Sequence, residues 1–372
     1  MRIGYDAKRL FFNRSGLGNY SRSTLALLAK YYPENRYVLF TPRPGGGLGF
    51  RVEQNMTVVT PRGVWRAAPS LWRGYAMSGD IRRAGLDIFH GLSAEIPAGI
   101  RRTGARSVVT QHDLIFVRYP ELYKPVDRAL YTRKYRRSCL DADRIIAISE
   151  QTRRDLMELW NIPPEKIDVV YQGCSPIFAV EPDEQTLRRV RSKYSLPERY
   201  IVGVGTIERR KNLLLTLRAM ACGTLEDVDL VACGRATPYL DELLSFAAAN
   251  GLAGRFHPLT DCDFEDLPAI YRMSLASVYT SRFEGFGIPI LESLTSGVPV
   301  ITTSGGVFAE TGGAAAFYVD PDDEGQMAAA LQTAIYDPAA RRRAIDLGYE
   351  HAARFTEEKI AANLERVYTS ML

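Results

Sequence analysis

The sequence lacks any hydrophobic run long enough to cross a membrane. Its composition, 46% hydrophobic and 24% charged over 372 residues, is that of an ordinary globular protein. No stretch approaches the roughly 18 apolar residues of a spanning helix. The opening segment Met1–Asp6 is typical of a first β-strand and not of a signal peptide. We therefore expect a cytosolic protein of about two domains.

Cysteine is scarce, and its spacing argues against folds held together by disulfides or by zinc. The five cysteines are odd in number, scattered along the chain and free of any C-x-x-C pair. This pattern argues against a disulfide framework and against a structural zinc site. We interpret all five as reduced core residues.

The glycine pattern of nicotinamide enzymes is also missing. A dinucleotide fingerprint requires a third glycine shortly after the first two. After Gly16-Leu-Gly18 that place holds Ser21, and after Gly203-Val-Gly205 it holds Glu208. Neither stretch therefore indicates a nicotinamide-dependent dehydrogenase.

Charge is unevenly divided between the two halves of the chain. Residues 1–175 carry 28 Lys and Arg against 16 Asp and Glu, a net charge of +12, and the remainder carries 19 against 27, a net charge of −8. A basic face suits an anionic membrane surface or nucleic acid. An ordinary solvated surface is the alternative. No segment resembles a nucleic-acid recognition motif, so nucleic acid is not an expected partner.

Strands and helices alternate along the chain, which predicts an α/β fold with parallel sheets covered on both faces. The alternation breaks near Pro176 and Pro182 and then restarts. We therefore predict two Rossmann-like α/β/α domains, 1–178 and 179–354, that face each other across a cleft. A final helix in 355–372 is predicted to pack back on the first domain.

The most informative stretch is Ser277–Gly306, which is predicted to form one βαβ unit. Its turn carries Gly285 and Gly287 ahead of a helix that opens near Pro289. Free N–H groups at a helix start favour an anion. Glu284 and Glu292 stand on either side of this position. Two acids beside a phosphate-sized anion site indicate a substrate with both phosphate and hydroxyl groups.

Two features of the first half also suggest function. His112 follows a predicted buried strand, at the sheet edge where ligands usually bind. The segment Tyr123–Leu140 mixes basic and aromatic residues, which suits a helix lying on anionic lipid. A surface helix with a tyrosine-lined buried stripe explains that segment equally well.

Five motifs together resemble those of glycosyltransferase family 4, whose members are retaining enzymes with the two-domain GT-B fold. The run from Glu284 to Glu292 is similar to that family's pair of glutamates separated by seven residues, and GTIERRKN at 205–212 resembles its phosphate-binding segment. Three first-half motifs follow in the family's order: Gly16-Leu-Gly18-Asn-Tyr20, the segment 108–114 around His112, and IAISEQTRRDL at 146–156. The resemblance covers essentially the whole chain.

This resemblance implies a role for each candidate residue. Arg210 and Lys211 would neutralise the diphosphate of a nucleotide sugar, Glu284 would contact the sugar hydroxyls, and Glu292 would accept the ribose hydroxyls. His112 would reach the sugar or its phosphate from the first domain. The remaining donor-binding candidates are Gly205, Leu259 and the backbone N–H groups of Phe286, Gly287 and Ile288. Gly16 and Gly18 are assigned to a donor or acceptor loop.

The resemblance is strongest to bacterial mannosyltransferase-like members that build surface polysaccharides. It implies GDP-mannose as the first choice of donor and a UDP-sugar as the second, with no metal or other cofactor. The implied acceptor is a glycan or a lipid-diphosphate-linked saccharide, met by a basic domain in peripheral contact with an anionic membrane. A nucleotide-sugar epimerase and a synthase acting on a soluble acceptor are the alternatives on the same fold.

Overall fold

The computed structural model describes residues 1–43, 45, 47–223 and 225–372, and they form two compact units. Unit 1 contains Met1–Gln172 and Glu357–Leu372, and unit 2 contains Gly173–Thr356. In the described part of the chain, no helix is both long and apolar enough to span a bilayer.

Unit 1 is built on a parallel sheet of seven described strands in the order β3-β2-β1-β4-β5-β6-β7. The strands are β1 (Arg2–Asp6), β2 (Arg36–Phe40), β3 (Met56–Val59), β4 (Ile88–Gly91), β5 (Arg106–Gln111), β6 (Arg144–Ala147) and β7 (Ile167–Val169). The helices are α1 (Lys8–Phe12), α2 (Gly16–Tyr31), α3 (Pro69–Leu71), α4 (Met77–Ala84), α5 (Ile115–Arg118), α6 (Pro125–Asp141) and α7 (Glu150–Trp160). Apolar runs in the central strands are buried on both faces, as expected where helices cover a parallel sheet.

Unit 2 repeats this plan with six described strands in the order β10-β9-β8-β11-β12-β13. The strands are β8 (Tyr200–Val204), β9 (Asp229–Cys233), β10 (Phe256–Leu259), β11 (Ala276–Tyr279), β12 (Val300–Thr303) and β13 (Phe317–Val319). The helices are α8 (Glu184–Tyr194), α9 (Leu213–Ala221), α10 (Tyr239–Ala249), α11 (Leu267–Met273), α12 (Ile288–Thr295), α13 (Phe308–Gly312), α14 (Glu324–Tyr336) and α15 (Pro338–Ala352).

The last helix, α16 (Glu357–Thr369), belongs to unit 1. It packs along α2, and its apolar side chains Ile360, Leu364 and Val367 join the core beside β1. Lys30 on α2 pairs with Glu357 at 2.8 Å, although this exposed pair adds little stability. The predicted return of the C-terminal helix to the first domain is therefore confirmed.

Several local predictions need correction. Helix α2 begins at Gly16, so Gly16 and Gly18 lie in its first turn and not in a loop. Helix α12 begins at Ile288, which agrees with the predicted opening near Pro289. The thiol of Cys222 is exposed, whereas Cys139 and Cys233 are buried, so the interpretation of every cysteine as a core residue is wrong.

Candidate active site

The candidate site of unit 2 lies where the strand order of the sheet reverses. Strands β8 and β11 are neighbours there, and the chain proceeds outward from them in opposite directions. Ligands of open α/β sheets bind beyond the carboxyl ends of strands at such a point. The loop 205–212 follows β8 and the loop 280–287 follows β11, so the two predicted motifs meet at this edge. The lining of a small cavity between them includes Gly205, Thr206, Lys211 and Tyr279.

Three side chains converge on one carboxylate oxygen at this edge. Oε1 of Glu284 lies 2.6 Å from Lys211 Nζ, 2.6 Å from Arg210 Nη1 and 2.6 Å from Ser281 Oγ. Lys211 Nζ also donates to the hydroxyl of Tyr279 at 2.8 Å. We call these five residues the Glu284 cluster. The structure thus joins three predicted site residues that are up to 74 positions apart, and it adds a serine and a tyrosine.

The cluster fixes the charge state of its members. Burial alone would raise the pKa of Glu284, but Lys211 and Arg210 outweigh that effect and lower the pKa to about 2. Burial lowers the pKa of Lys211, and Glu284 opposes that shift. Burial also disfavours the charge of Arg210, yet Glu284 reverses the balance and raises its pKa. Glu284 is therefore a carboxylate at neutral pH, held by two cations.

Arg210 has further partners that define the charge balance of the site. Its Nη1 donates to the carbonyl of Phe283 at 2.7 Å, and its Nη2 lies 2.7 Å from Oε1 of Glu208. Two cations therefore face two carboxylates, Glu208 and Glu284. The arrangement is therefore close to neutral.

The start of α12 adds backbone donors next to the cluster. Gly287 is the N-cap residue and has a φ of +110°. A side chain there would be strained, and its Cβ would lie 3.3 Å from Thr311 Oγ1. The first N–H groups of a helix have no intrahelical acceptor, and they favour an anion. Ile288 begins the helix, while the ring of Phe286 is buried against Phe355 with ring centroids 5.8 Å apart.

The second motif glutamate has the opposite electrostatic character. Glu292 is 6% exposed and accepts a hydrogen bond from the hydroxyl of Tyr271 at 3.1 Å. Burial raises its pKa to about 7, although Tyr271 and Lys211 partly oppose the shift. The paired glutamates therefore differ, since Glu284 is always ionised near neutral pH and Glu292 titrates there.

Glycines allow the strand ends to approach each other beside the cluster. Gly205 follows β8 and has a φ of +138°. A Cβ added to Gly234 would lie only 1.9 Å from the carbonyl oxygen of Gly205, so a side chain at position 234 would clash with it. The amide of Gly234 donates to the carbonyl of Leu259 at 3.0 Å. The predicted residue Leu259 therefore lies at the end of β10 and is joined to Gly205 through Gly234.

The predicted site residue of unit 1, His112, is half-buried at the end of β5. Its Nε2 lies 3.0 Å from the carbonyl oxygen of Leu92, which can only accept a hydrogen bond. Nε2 therefore carries the proton, and Nδ1 is an acceptor. Burial lowers the pKa of His112 to about 4, and Arg9 adds to the shift. The imidazole is neutral at pH 7.

The two glycines assigned to a loop have different structural roles in α2. A Cβ on Gly18 would lie 1.9 Å from the carbonyl oxygen of Asn13, so glycine is required for the helix to pack against the preceding segment. Around Gly16 there is open space for a side chain. Only Gly18 therefore has a steric reason to be glycine.

Sequence reasoning missed four residues of the site in unit 2: Tyr279, Ser281, Tyr271 and Gly234. Tyr279 is the last residue of β11 and Ser281 lies two residues beyond it, at the carboxyl edge where ligands usually bind. Tyr271 lies on α11, and its contact with Glu292 depends on tertiary packing.

Two Rossmann-like units, the second with paired cations in the loop after β8 and paired glutamates in the loop and helix after β11, define a glycosyltransferase of the GT-B fold. The profile of glycosyltransferase family 4 matches residues 19–176, and that of group 1 glycosyl transferases matches residues 185–351. The chain belongs to glycosyltransferase family 4.

Known proteins of the same class extend this result. O-antigen chain mannosyltransferase B of Escherichia coli is 29% identical over 286 residues, which is 76% of this chain and 74% of that protein. A D-inositol 3-phosphate glycosyltransferase of Thermobispora bispora is 34% identical over 249 residues, 62% of this chain and 56% of that protein. The structure of Anabaena HepE in complex with UDP and glucose superposes with a TM-score of 0.76 at 19% identity and covers all of both chains. That identity shows a shared fold only.

Proposed function

We propose that the protein transfers a hexose, with mannose favoured, from a nucleotide-diphosphate sugar to a glycan or lipid-linked saccharide during surface polysaccharide synthesis. The observation that carries the proposal is the convergence of Arg210 and Lys211 on one oxygen of Glu284 at the switch point of the sheet. The choice of GDP-mannose is supported by the similarity to an O-antigen mannosyltransferase.

The Glu284 cluster suits a diphosphate leaving group. Arg210 and Lys211 would exchange the Glu284 oxygen for phosphate oxygens, with the N–H groups of Gly287 and Ile288 as further donors. The released Glu284 carboxylate would then accept hydrogen bonds from sugar hydroxyls. Two side-chain cations and the start of a helix would stabilise the negative charge of the departing diphosphate, so we assign no step to a metal ion.

The transfer step would retain the anomeric configuration. The bond from the anomeric carbon to the diphosphate oxygen breaks, and its electron pair stays on the phosphate. The acceptor hydroxyl forms its bond to that carbon on the same face and gives its proton to the leaving phosphate oxygen. No carboxylate nucleophile is needed. We propose that Nδ1 of His112 contacts the bound sugar or its phosphate.

A panel of nucleotide sugars tests the donor assignment. Binding and slow hydrolysis are scored for GDP-mannose, GDP-glucose, UDP-glucose and UDP-galactose, with Arg210→Ala/Lys211→Ala, which removes both cations, as the control. We expect GDP-mannose to bind most tightly and to be hydrolysed slowly. A clear preference for a UDP-sugar would overturn the donor, and no binding of any nucleotide sugar would overturn the proposed function.

A soluble acceptor is the second candidate, because the inositol-phosphate glycosyltransferase is 34% identical over its matched region. With the preferred donor fixed, transfer is measured to inositol 3-phosphate and to a lipid-diphosphate saccharide. Transfer to the inositol phosphate alone would favour this second candidate. Interconversion of nucleotide sugars without any acceptor would indicate an epimerase instead.

The pH dependence of donor binding tests the ribose role of Glu292. If its carboxylate accepts the ribose hydroxyls, the affinity for a nucleotide sugar should fall about tenfold per pH unit below about 7, where Glu292 becomes protonated. Of the facing groups, Tyr271 and Cys174 do not titrate between pH 5 and 8, because burial raises the pKa of the phenol and raises that of the thiol to about 12. The third facing group is Lys211, whose pKa burial lowers and Glu284 raises. Nucleotide sugars suit the titration because their phosphates do not ionise in this range.

Glu292→Gln is the matched variant for that titration. It should bind the nucleotide sugar with nearly constant affinity from pH 5.5 to 8, as measured by calorimetry. A wild-type affinity that does not change with pH would remove Glu292 from the ribose site.

We also propose that α6 contacts an anionic membrane. Its side chains Val126 and Leu130 are exposed, and Arg133, Lys134, Arg136 and Arg137 are exposed beside them, while Tyr131 and Tyr135 stack on each other and pack against the core. Basic residues around exposed apolar side chains favour anionic lipid.

A flotation assay tests this contact. We expect the protein to float with vesicles of anionic lipid but not with vesicles of neutral lipid, and Val126→Ser/Leu130→Ser should lower the fraction of protein that floats. Equal recovery with both vesicles would contradict this contact.

A further inference from the structure

A chain of buried polar side chains crosses the core of unit 1 and ends beside His112. The hydroxyl of Tyr368 on α16 lies 2.8 Å from Nδ1 of His90, and Nε2 of His90 lies 2.7 Å from Oγ1 of Thr110. Oγ1 of Thr110 lies 3.2 Å from the hydroxyl of Tyr20 on α2. We call Tyr368, His90, Thr110 and Tyr20 the polar chain. Its members come from four different elements.

The hydrogen bonds of the polar chain have a defined direction at its centre. Tyr5 donates to the hydroxyl of Tyr368 at 3.3 Å, which leaves the Tyr368 proton for Nδ1 of His90. Nε2 of His90 therefore carries a proton and donates to Thr110. The side chains of His90, Thr110 and Tyr368 are fully buried. Because an unpaired polar group costs more in the core than in water, each link holds the next in place.

The ring of Tyr20, whose hydroxyl belongs to the polar chain, packs against the ring of His112. The two rings meet edge to face, with centroids 4.7 Å apart and an interplanar angle of 89°. Such a contact favours one ring orientation. On its other side, His112 donates from Nε2 to Leu92, and its backbone carbonyl accepts from Thr152 Oγ1 at 3.1 Å. These contacts together fix where Nδ1 points.

We propose that Tyr20 is a positioning residue for His112, held in place by the polar chain that starts on the C-terminal helix. The inference rests on the proposed contact of His112 with the bound sugar or its phosphate. Gly18 lies two residues before Tyr20 on α2, and its lack of a side chain allows the helix to approach the carbonyl of Asn13 closely. This close approach helps to fix the position of Tyr20. The C-terminal helix thereby contributes to catalysis without touching substrate.

The test compares three variants of the full chain: Tyr20→Phe, which keeps the ring, Tyr20→Leu, which removes it, and Thr110→Val, which breaks the polar chain. Tyr37→Phe is the matched control, because Tyr37 is fully buried in unit 1 and its hydroxyl contacts the carbonyls of Leu28 and Tyr32 instead. We expect kcat to fall about tenfold to a hundredfold for Tyr20→Leu and less for the others. The KM for the nucleotide sugar should stay near its wild-type value, as should all parameters of the control.

The tautomer and pKa of His112 distinguish a positioning role of Tyr20 from a purely structural one. If Tyr20 served only to stabilise the fold, its substitution would leave both unchanged. Since the chain has four histidines, ¹H–¹⁵N correlation spectra can resolve them. Wild type should show the Nε2–H form of His112 down to a pKa of about 4. Tyr20→Leu admits water to the ring, so the pKa should rise and the tautomers should mix. The charged or titratable groups that face His112 include Arg9, His90 and Tyr20. Burial lowers the pKa of His90 to about 3, so that ring stays neutral above pH 5.

The outcomes separate this inference from the proposed function. A folded Tyr20→Leu variant with wild-type tautomer, pKa and kcat overturns the positioning role. If His112→Ala keeps full turnover while Tyr20→Leu still shifts the tautomer of His112, the positioning holds and the proposed role of His112 fails. If Tyr20→Leu does not fold, the tautomer in Tyr20→Phe and Thr110→Val decides the question.

Discussion

Lys211→Ala is expected to lower kcat/KM for the nucleotide sugar by about 10²–10³-fold, because a buried cation aimed at the departing diphosphate is lost. Its Nζ lies 2.6 Å from Glu284 and 2.8 Å from Tyr279, so the ammonium is held at one point of the site. Arg210 and Ser281 still bind Glu284 in the variant. The free energy of unfolding should therefore fall by only about 1–3 kcal/mol.

The measurement is steady-state transfer together with thermal unfolding of the same preparation. Lys193→Ala is the matched control, since Lys193 pairs with Asp266 at 2.7 Å, outside the cluster. The control should keep wild-type kcat/KM. Wild-type turnover by a folded Lys211→Ala protein would show that the phosphate assignment is wrong.

Glu284→Gln is expected to reduce kcat by about 10²–10³-fold while nucleotide binding is retained. The neutral amide cannot stabilise positive charge that develops on the sugar, and it is a weaker acceptor for sugar hydroxyls. The substitution also weakens the ion pairs that hold Arg210 and Lys211 in the free protein. Since these cations no longer have to exchange a carboxylate for phosphate, the nucleotide should bind at least as tightly as in wild type.

Glu208→Gln is the control for this variant. Glu208 lies 2.7 Å from Arg210 and makes no contact with Lys211 among the ion pairs of the described residues. Its loss should change kcat only a few-fold. If Glu284→Gln turns over like wild type, or if it loses nucleotide binding together with rate, Glu284 does not have the proposed role.

The plan of the fold was predictable because alternating apolar and helical segments leave few other arrangements. Some helix ends also carry clear local signals in the sequence. Ser149, for example, caps α7 by accepting from the amide of Thr152 at 3.0 Å. The start of α2 was misplaced because two glycines in its first turn resemble a loop, and only tertiary packing against Asn13 explains Gly18.

The side-chain arrangement of the site was less predictable than its membership. The motif named Glu284, Arg210 and Lys211, but it assigned them to separate parts of a substrate. Their mutual ion pairs join loops about 73 residues apart, and no local pattern encodes such a contact. The difference between the two glutamates likewise depends on tertiary structure, because Glu292 lies in the core beside Tyr271, whereas Glu284 pairs directly with two cations.

The central claim is that Arg210 and Lys211 bind the diphosphate of the donor. The most direct test is calorimetric titration of wild type and Lys211→Ala with the nucleoside diphosphate and monophosphate of the base that the donor panel selects. The account predicts that wild type binds the diphosphate at least about tenfold more tightly than the monophosphate, a difference of about 1.4 kcal/mol, and that Lys211→Ala loses most of this preference. An equal preference for the diphosphate in both proteins would contradict the claim.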